Sequence, residues 1–151
     1  GLETLHLRMP RHVENTRKIA EFLVANKAVA RVTYPELVSH PDHELAKKLL
    51  PDGAGAVISF DLKAGNGNAK DAGRVFIEKL SLFSHLANIG DAKSLVIHPA
   101  STTHFRMDAA ALRAAGISEG TIRLSIGIEH VDDLMEDLSK ALHAAGKAAG
   151  I

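Results

Sequence analysis

The sequence predicts an α+β, sandwich-like domain in which a mainly antiparallel sheet of four to five short strands carries helices on one face. Three observations lead to that class. Helical and extended patterns alternate along the chain with short punctuation and no internal repeat. Several extended runs keep one polar face, which an antiparallel sheet with a solvated side tolerates and a doubly covered parallel sheet does not. A length of 151 residues, 46% hydrophobic and 24% charged, suits one domain with a substantial core and excludes a disordered or fibrous chain.

Residues 10–26 place Val13, Ala20, Leu23 and Val24 near helical spacing, with Pro10 suited to a first turn. Val29–Tyr34 is a strand that Pro35 stops. His40–Leu50 predicts a short helix that turns Leu45, Leu49 and Leu50 inward before Pro51-Asp52-Gly53 ends it. Ala54–Leu62 is a strand with Ala56, Ile58, Phe60 and Leu62 on one face and Val57, Ser59 and Asp61 on the other. A turn at Gly65–Asn68 leads into a helix over 69–80, with Asn68 as its cap. After an irregular stretch at 81–93, Leu95–Ile97 is a short apolar strand. Asp108 caps a helix that Gly116 ends. Thr121–Ile128 is a strand with Ile122, Leu124, Ile126 and Ile128 on its buried side. The last helix lines up Val131, Leu134, Met135, Leu138 and Leu142, with Asp132 and Asp133 at its positive end.

Composition narrows the functional classes. Eighteen Lys and Arg balance eighteen Asp and Glu, aromatics are 4% and there is no Trp, which argues against nucleic acid as a partner. No apolar run approaches the roughly 18 residues of a spanning helix, so no membrane partner is expected. The absence of Cys excludes disulfides and thiolate chemistry and fits a reducing cytoplasm. Starting at Gly1 with neither an initiator Met nor a signal-peptide pattern, the chain is expected to be a piece of a longer protein.

Arg123 is the most informative single residue. It lies opposite the four aliphatics of its strand between Thr121 and Ser125, small flanks that leave its planar fork room for a carboxylate or phosphate. The same pattern, by itself, also describes an arginine on a solvated sheet face paired with a nearby Asp or Glu. The run Ser94–His104 passes from a strand through Pro99 into small and hydroxyl residues between two histidines. It suits either a ligand-facing wall or a loop whose hydroxyls satisfy local backbone. Nine histidines include His40 and His43, but a proline lies between them and no third ligand stands at suitable spacing, so no metal site is expected. Neither a phosphate loop nor a nucleophile elbow occurs.

Four stretches together resemble the C-terminal part of the Cys/Met-metabolism family of pyridoxal-phosphate (PLP) enzymes. They are Gly1–Leu5 with Leu7, Arg8 and His12; Ser59–Leu62; Leu82–His104; and Ile122–Glu129. The resemblance implies that 1–26 is a linking helix and lead-in, and that 27–151 is the small C-terminal domain of a fold-type I PLP enzyme. The large PLP-binding domain, with the cofactor lysine, the aspartate at the pyridine nitrogen and the stacking tyrosine, is absent from these residues. It further implies that Arg123 binds the substrate α-carboxylate, that Ser94 lines the same site and that Thr103 faces it. No catalytic, cofactor-binding or metal-binding residue is expected in this chain, and no PLP bound to it.

Cystathionine-processing relatives commonly carry an acidic residue where this chain has Lys93, which favours the O-acetylhomoserine sulfhydrylase branch. The activity implied is a transferase step of methionine biosynthesis, in a cytoplasmic homotetramer that takes a small amino-acid substrate. A methionine γ-lyase, an O-succinylhomoserine sulfhydrylase and a non-catalytic α+β binding module are the alternatives. Phe105-Arg106-Met107 departs from the polar residues expected after the motif. Arg113, on the preceding helix, is expected to have no functional role.

Overall fold

Two runs of sequence with apolar residues at alternate positions, 57–62 and 121–125, build the centre of the sheet, and the remaining elements arrange themselves around it. A computed structural model describes all 151 residues except the side chains of Ala109 and Arg113. The order is α1 (Leu5–Val24), β1 (Val29–Thr33), α2 (His43–Leu49), β2 (Val57–Leu62), α3 (Ala69–Lys79), β3 (Ser84–His85), β4 (Leu95–Ile97), a 3-10 turn (Pro99–Ser101), α4 (Ala109–Ala114), β5 (Thr121–Ser125) and α5 (Val131–Ala149). The strands order as β1-β2-β5-β4-β3, antiparallel throughout except the parallel pair β3–β4. The predicted class, α+β with a mostly antiparallel sheet, is the one observed.

Ile58, Phe60 and Leu62 of β2, with Ile122 and Leu124 of β5 and Val96 of β4, form the face that α1, α3 and α5 cover. Phe60 meets Phe76 of α3 edge to face at 5.5 Å between centroids. α5 contributes Val131, Leu134, Leu138, Ala141, Leu142 and Ala145 to this core, extending the stripe its sequence predicts.

Four expectations need correction. α1 begins at Leu5, so Pro10 sits at its sixth residue and not in a first turn. The proline removes only the bond to the His6 carbonyl, and His6 and Pro10 are both exposed, so water replaces it. α2 buries only Ala46; Leu45, Leu49 and Leu50 point to solvent, because a seven-residue helix held through one small side chain has no wide apolar face to seat. β5 stops at Ser125: Ile126 still reaches the Ala56 carbonyl, but the chain then turns and leaves Ile128 exposed. Within the stretch predicted to be irregular, Ser84 and His85 pair with β4 as a strand too short to carry a periodic signal.

Asp137 is a buried carboxylate on α5 that accepts the backbone N–H groups of Ser81 (2.9 and 3.1 Å) and Leu82 (2.9 Å), tying the exit of α3 to α5. Asp137→Ala removes the charged acceptor of both donors, so we expect a loss of about 2–3 kcal/mol, read from the urea midpoint. An unchanged midpoint would show that the tie adds nothing.

Candidate functional site

The face of the sheet away from the helices carries the site. The strand registers place Thr33, Ser59, Arg123 and Ile97 in one row across β1, β2, β5 and β4. A cleft of about 530 Å³ opens over this row, and its walls include Arg123, Ser59, Thr121, Thr103, His104 and Ile97.

The local chemistry determines what Arg123 can do. Asp61 is the nearest acid on this face by register, and it is already engaged. It receives the hydroxyls of Ser118 (2.9 Å) and Thr121 and pairs with Arg31 at 2.9 Å. Arg123 makes one long hydrogen bond to the Asn88 carbonyl at 3.4 Å, and among the described residues no carboxylate lies within 4.0 Å of it. The surface ion-pair reading of this arginine is therefore not the arrangement found. A guanidinium held on a rigid strand, flanked by small residues and left without an anion, is suited to a carboxylate ligand.

The run 98–104 combines both of its readings. His98 is wholly buried: its Nε2 lies 2.7 Å from the Glu119 carbonyl and its Nδ1 2.9 Å from the Ser101 hydroxyl. α3 approaches so closely that a Cβ on Gly73 would run into the imidazole ring. With Nε2–H donating to Glu119, the neutral ring accepts the Ser101 hydroxyl at Nδ1, and Thr102 directs its hydroxyl to the His98 carbonyl at 2.9 Å. Thr103 and His104, joined by a 2.8 Å Oγ1···Nδ1 hydrogen bond, line the cleft. Burial holds the His98 imidazole below its ordinary protonation range. The folded state thus binds fewer protons than the unfolded state just below about pH 6.5, and stability is lost as pH falls from there. We expect the urea midpoint to fall between pH 7.5 and 5.5 by less in His98→Asn than in the unmodified chain; equal falls would contradict this.

Ser94, immediately before β4, is placed differently. It is fully buried, its hydroxyl donates to Glu129 Oε2 (2.9 Å) and its N–H to Glu129 Oε1 (2.6 Å). Leu95 is the partner of Ser125 on Arg123's face, so Ser94 stands one step out of phase with it. The structure brings Arg123 and Thr103 together on the cleft and turns the Ser94 hydroxyl inside. Sequence reasoning assigned no role to Glu129, His12 or Asn15. For His12 and Asn15 the signal in the pattern is a polar side chain set among apolar ones on the buried face of α1; Glu129, in the turn before α5, shows only as the end of a family-like stretch. His12 Nε2 and Asn15 Oδ1 have no partner among the described residues. His40 lines the cleft and His43 reaches the Pro35 carbonyl at 3.2 Å; no group of three or more His, Asp or Glu poised for a metal occurs among the described residues.

Fold and site together define a small α+β domain with an arginine on its open cleft that has no ion-pair partner among the described residues, and residues 1–143 match the Cys/Met metabolism PLP-dependent enzyme family, to which the chain belongs. It is 48% identical over 142 residues to O-acetyl-L-homoserine sulfhydrylase 1 of Thermus thermophilus, covering 94% of this chain and 33% of that protein. It is 43% identical over 142 residues to L-methionine gamma-lyase of Fusobacterium nucleatum, covering 94% and 35%. A crystal structure described as an O-acetylhomoserine (thiol)-lyase from Campylobacter jejuni, holding N'-pyridoxyl-lysine-5'-monophosphate, superposes with a TM-score of 0.86 at 43% identity, over 95% of this chain and 33% of that one. The chain thus spans about a third of the length of these relatives.

In the Campylobacter structure the pyridoxyl group is joined to a lysine. Every lysine of the present chain is exposed, and the lining of the cleft contains none. The donor set of this cleft suits a carboxylate.

Proposed function

We propose that this chain is the carboxylate-binding C-terminal domain of a longer PLP-dependent enzyme that performs γ-replacement on O-acetylhomoserine. Sulfide or a thiol displaces acetate, giving homocysteine or methionine. The observation that carries this reading is the Arg123 guanidinium, fixed on β5 without an anionic partner in a lysine-free cleft. Arg123 grips the α-carboxylate through its fork, and Thr103 lines the same cleft. Ser94 belongs to the same site by resemblance. α1 is the linking helix, and the cofactor with its lysine resides in the larger domain outside these residues, so the chain alone is inactive. A clamp remote from the reacting carbon acts by fixing geometry, so its loss lowers rate as well as binding. We place the enzyme in the cytoplasm as a homotetramer, as the family resemblance implies. Among the described residues no helix is long and apolar enough to cross a membrane.

The methionine γ-lyase relative supports a second reading, elimination from methionine. Product analysis of the longer enzyme separates the two. Homocysteine and acetate from O-acetylhomoserine with sulfide support replacement. Methanethiol from methionine, with no reaction of the ester, would overturn it, and preference for O-succinylhomoserine would correct the acyl group.

A further inference from the structure

α1 buries three polar residues, His12, Asn15 and Thr16, beside Val13, Ile19 and Leu23. Polar groups at that depth need partners, and those of His12 and Asn15 converge on one turn, 112 to 114 residues on in sequence. His12 Nδ1 lies 2.6 Å from the Ile126 carbonyl oxygen, and Asn15 Nδ2 donates to the carbonyls of Gly127 (3.1 Å) and Glu129 (2.9 Å). The turn is gripped from its other side too. Glu129 accepts both donors of Ser94, the Ser94 hydroxyl accepts the Gly127 N–H at 2.8 Å, and the Ile128 N–H reaches the Ala92 carbonyl at 2.9 Å. The loop so anchored, residues 86–94, then touches the open face. Asn88 offers its carbonyl to Arg123, and the Gly90 N–H donates to the Ser125 hydroxyl at 3.1 Å.

We propose that Glu129 is a positioning residue for the carboxylate clamp, acting through Ser94 and the 86–94 loop. This rests on the reading of Arg123 given above. No Lys, Arg or His lies within 4.0 Å of the Glu129 carboxylate among the described residues. Neutral donors hold it, together with the positive end of α5, which starts two residues later. A carboxylate that receives two hydrogen bonds from one residue fixes that residue's backbone and hydroxyl at once. Fixing Ser94 sets the β4 register against β5, where Ile97 faces Arg123, and sets the loop whose carbonyl steadies the guanidinium. What Ser94 contributes to carboxylate binding it contributes through this latch, since both of its donors are taken.

The test compares Arg123→Ala, Glu129→Gln and the double variant in the longer enzyme, with KM and kcat for the amino-acid substrate and amide exchange of segments 86–94 and 126–129. Glu129→Gln keeps the shape and one acceptor, so folding is retained. We expect it to raise KM about tenfold, equivalent to about 1.4 kcal/mol, to lower kcat in the same sense as Arg123→Ala but by less, and to make exchange at 86–94 faster. In the Arg123→Ala background it should change KM by less than about twofold, because the clamp it positions is gone. If Arg123→Ala itself leaves KM and kcat unchanged, the clamp reading fails and this inference with it. If Arg123→Ala is damaging but Glu129→Gln is silent, or raises KM equally in both backgrounds, only the positioning role is overturned.

Discussion

Arg123→Ala in the longer enzyme is expected to lower kcat/KM for the amino-acid substrate by roughly 30-fold to several thousand-fold. That range corresponds to the 2–5 kcal/mol typical of removing one partner from a buried, hydrogen-bonded charge pair. The expectation depends on the absence of a competing anion: Asp61, the acid on the same face, is already bound by Arg31, Ser118 and Thr121. Arg123→Lys should recover only part of the loss, because an ammonium on a flexible stem cannot reproduce the bidentate fork. Arg74→Ala, which removes an exposed i,i+4 partner of Glu78 on α3, is the silent control. Kinetics with purified variants decide it. A loss of threefold or less for Arg123→Ala, about 0.7 kcal/mol, would make Arg123 an ordinary surface residue.

The largest stability effect is expected at Gly127. A Cβ there would stand 2.6 Å from the Ser94 nitrogen and run into the Ala92 carbonyl and the Glu129 carboxylate. Two of those three obstacles are backbone and cannot rotate away, so moving the Glu129 carboxylate alone does not make room. Gly127→Ala should cost about 3 kcal/mol or more, which for a chain of this length lowers Tm by roughly 6–12 °C. Gly146 gives the contrast. Its added Cβ would meet nothing nearer than 3.6 Å within α5, so Gly146→Ala should be neutral or stabilise by about 0.5–1 kcal/mol. Thermal melts of the two variants check both; similar melting of Gly127→Ala and the unmodified chain would mean that the turn is not as tightly crossed as described.

The parts of the fold that the sequence makes legible are those in which one periodic pattern is long and unopposed. The alternation of 57–62 and 121–125 and the stripe of α5 are read correctly because burial on one face is their only strong requirement. α2 misleads because leucines at helical spacing look the same whether or not a partner surface exists, and here only Ala46 finds one. The start of α1 is lost behind Pro10, whose cost depends on solvent reaching the freed carbonyl, a property of position and not of pattern.

The candidate site divides in the same way. Arg123 was visible through its small flanks, but its lack of an ion pair depends on Arg31, Ser118 and Thr121 capturing Asp61 from other parts of the chain. Glu129, Asn15 and His12 escaped assignment because their hydrogen bonds join segments far apart in sequence, and no local periodicity records such bonds. Ser94 was singled out by resemblance, while the partner that takes up both its donors shows only in three dimensions.

The central claim, that Arg123 is the anchor for a carboxylate, is tested most directly by binding and not by turnover. Affinities of the longer enzyme would be measured for an unreactive α-amino acid and for the matching amine that lacks the carboxylate, with and without Arg123→Ala. The account predicts that the unmodified enzyme prefers the acid by at least about 30-fold, or 2 kcal/mol, and that Arg123→Ala removes most of this preference while leaving the affinity for the amine unchanged. An undiminished preference for the acid after Arg123→Ala would contradict it.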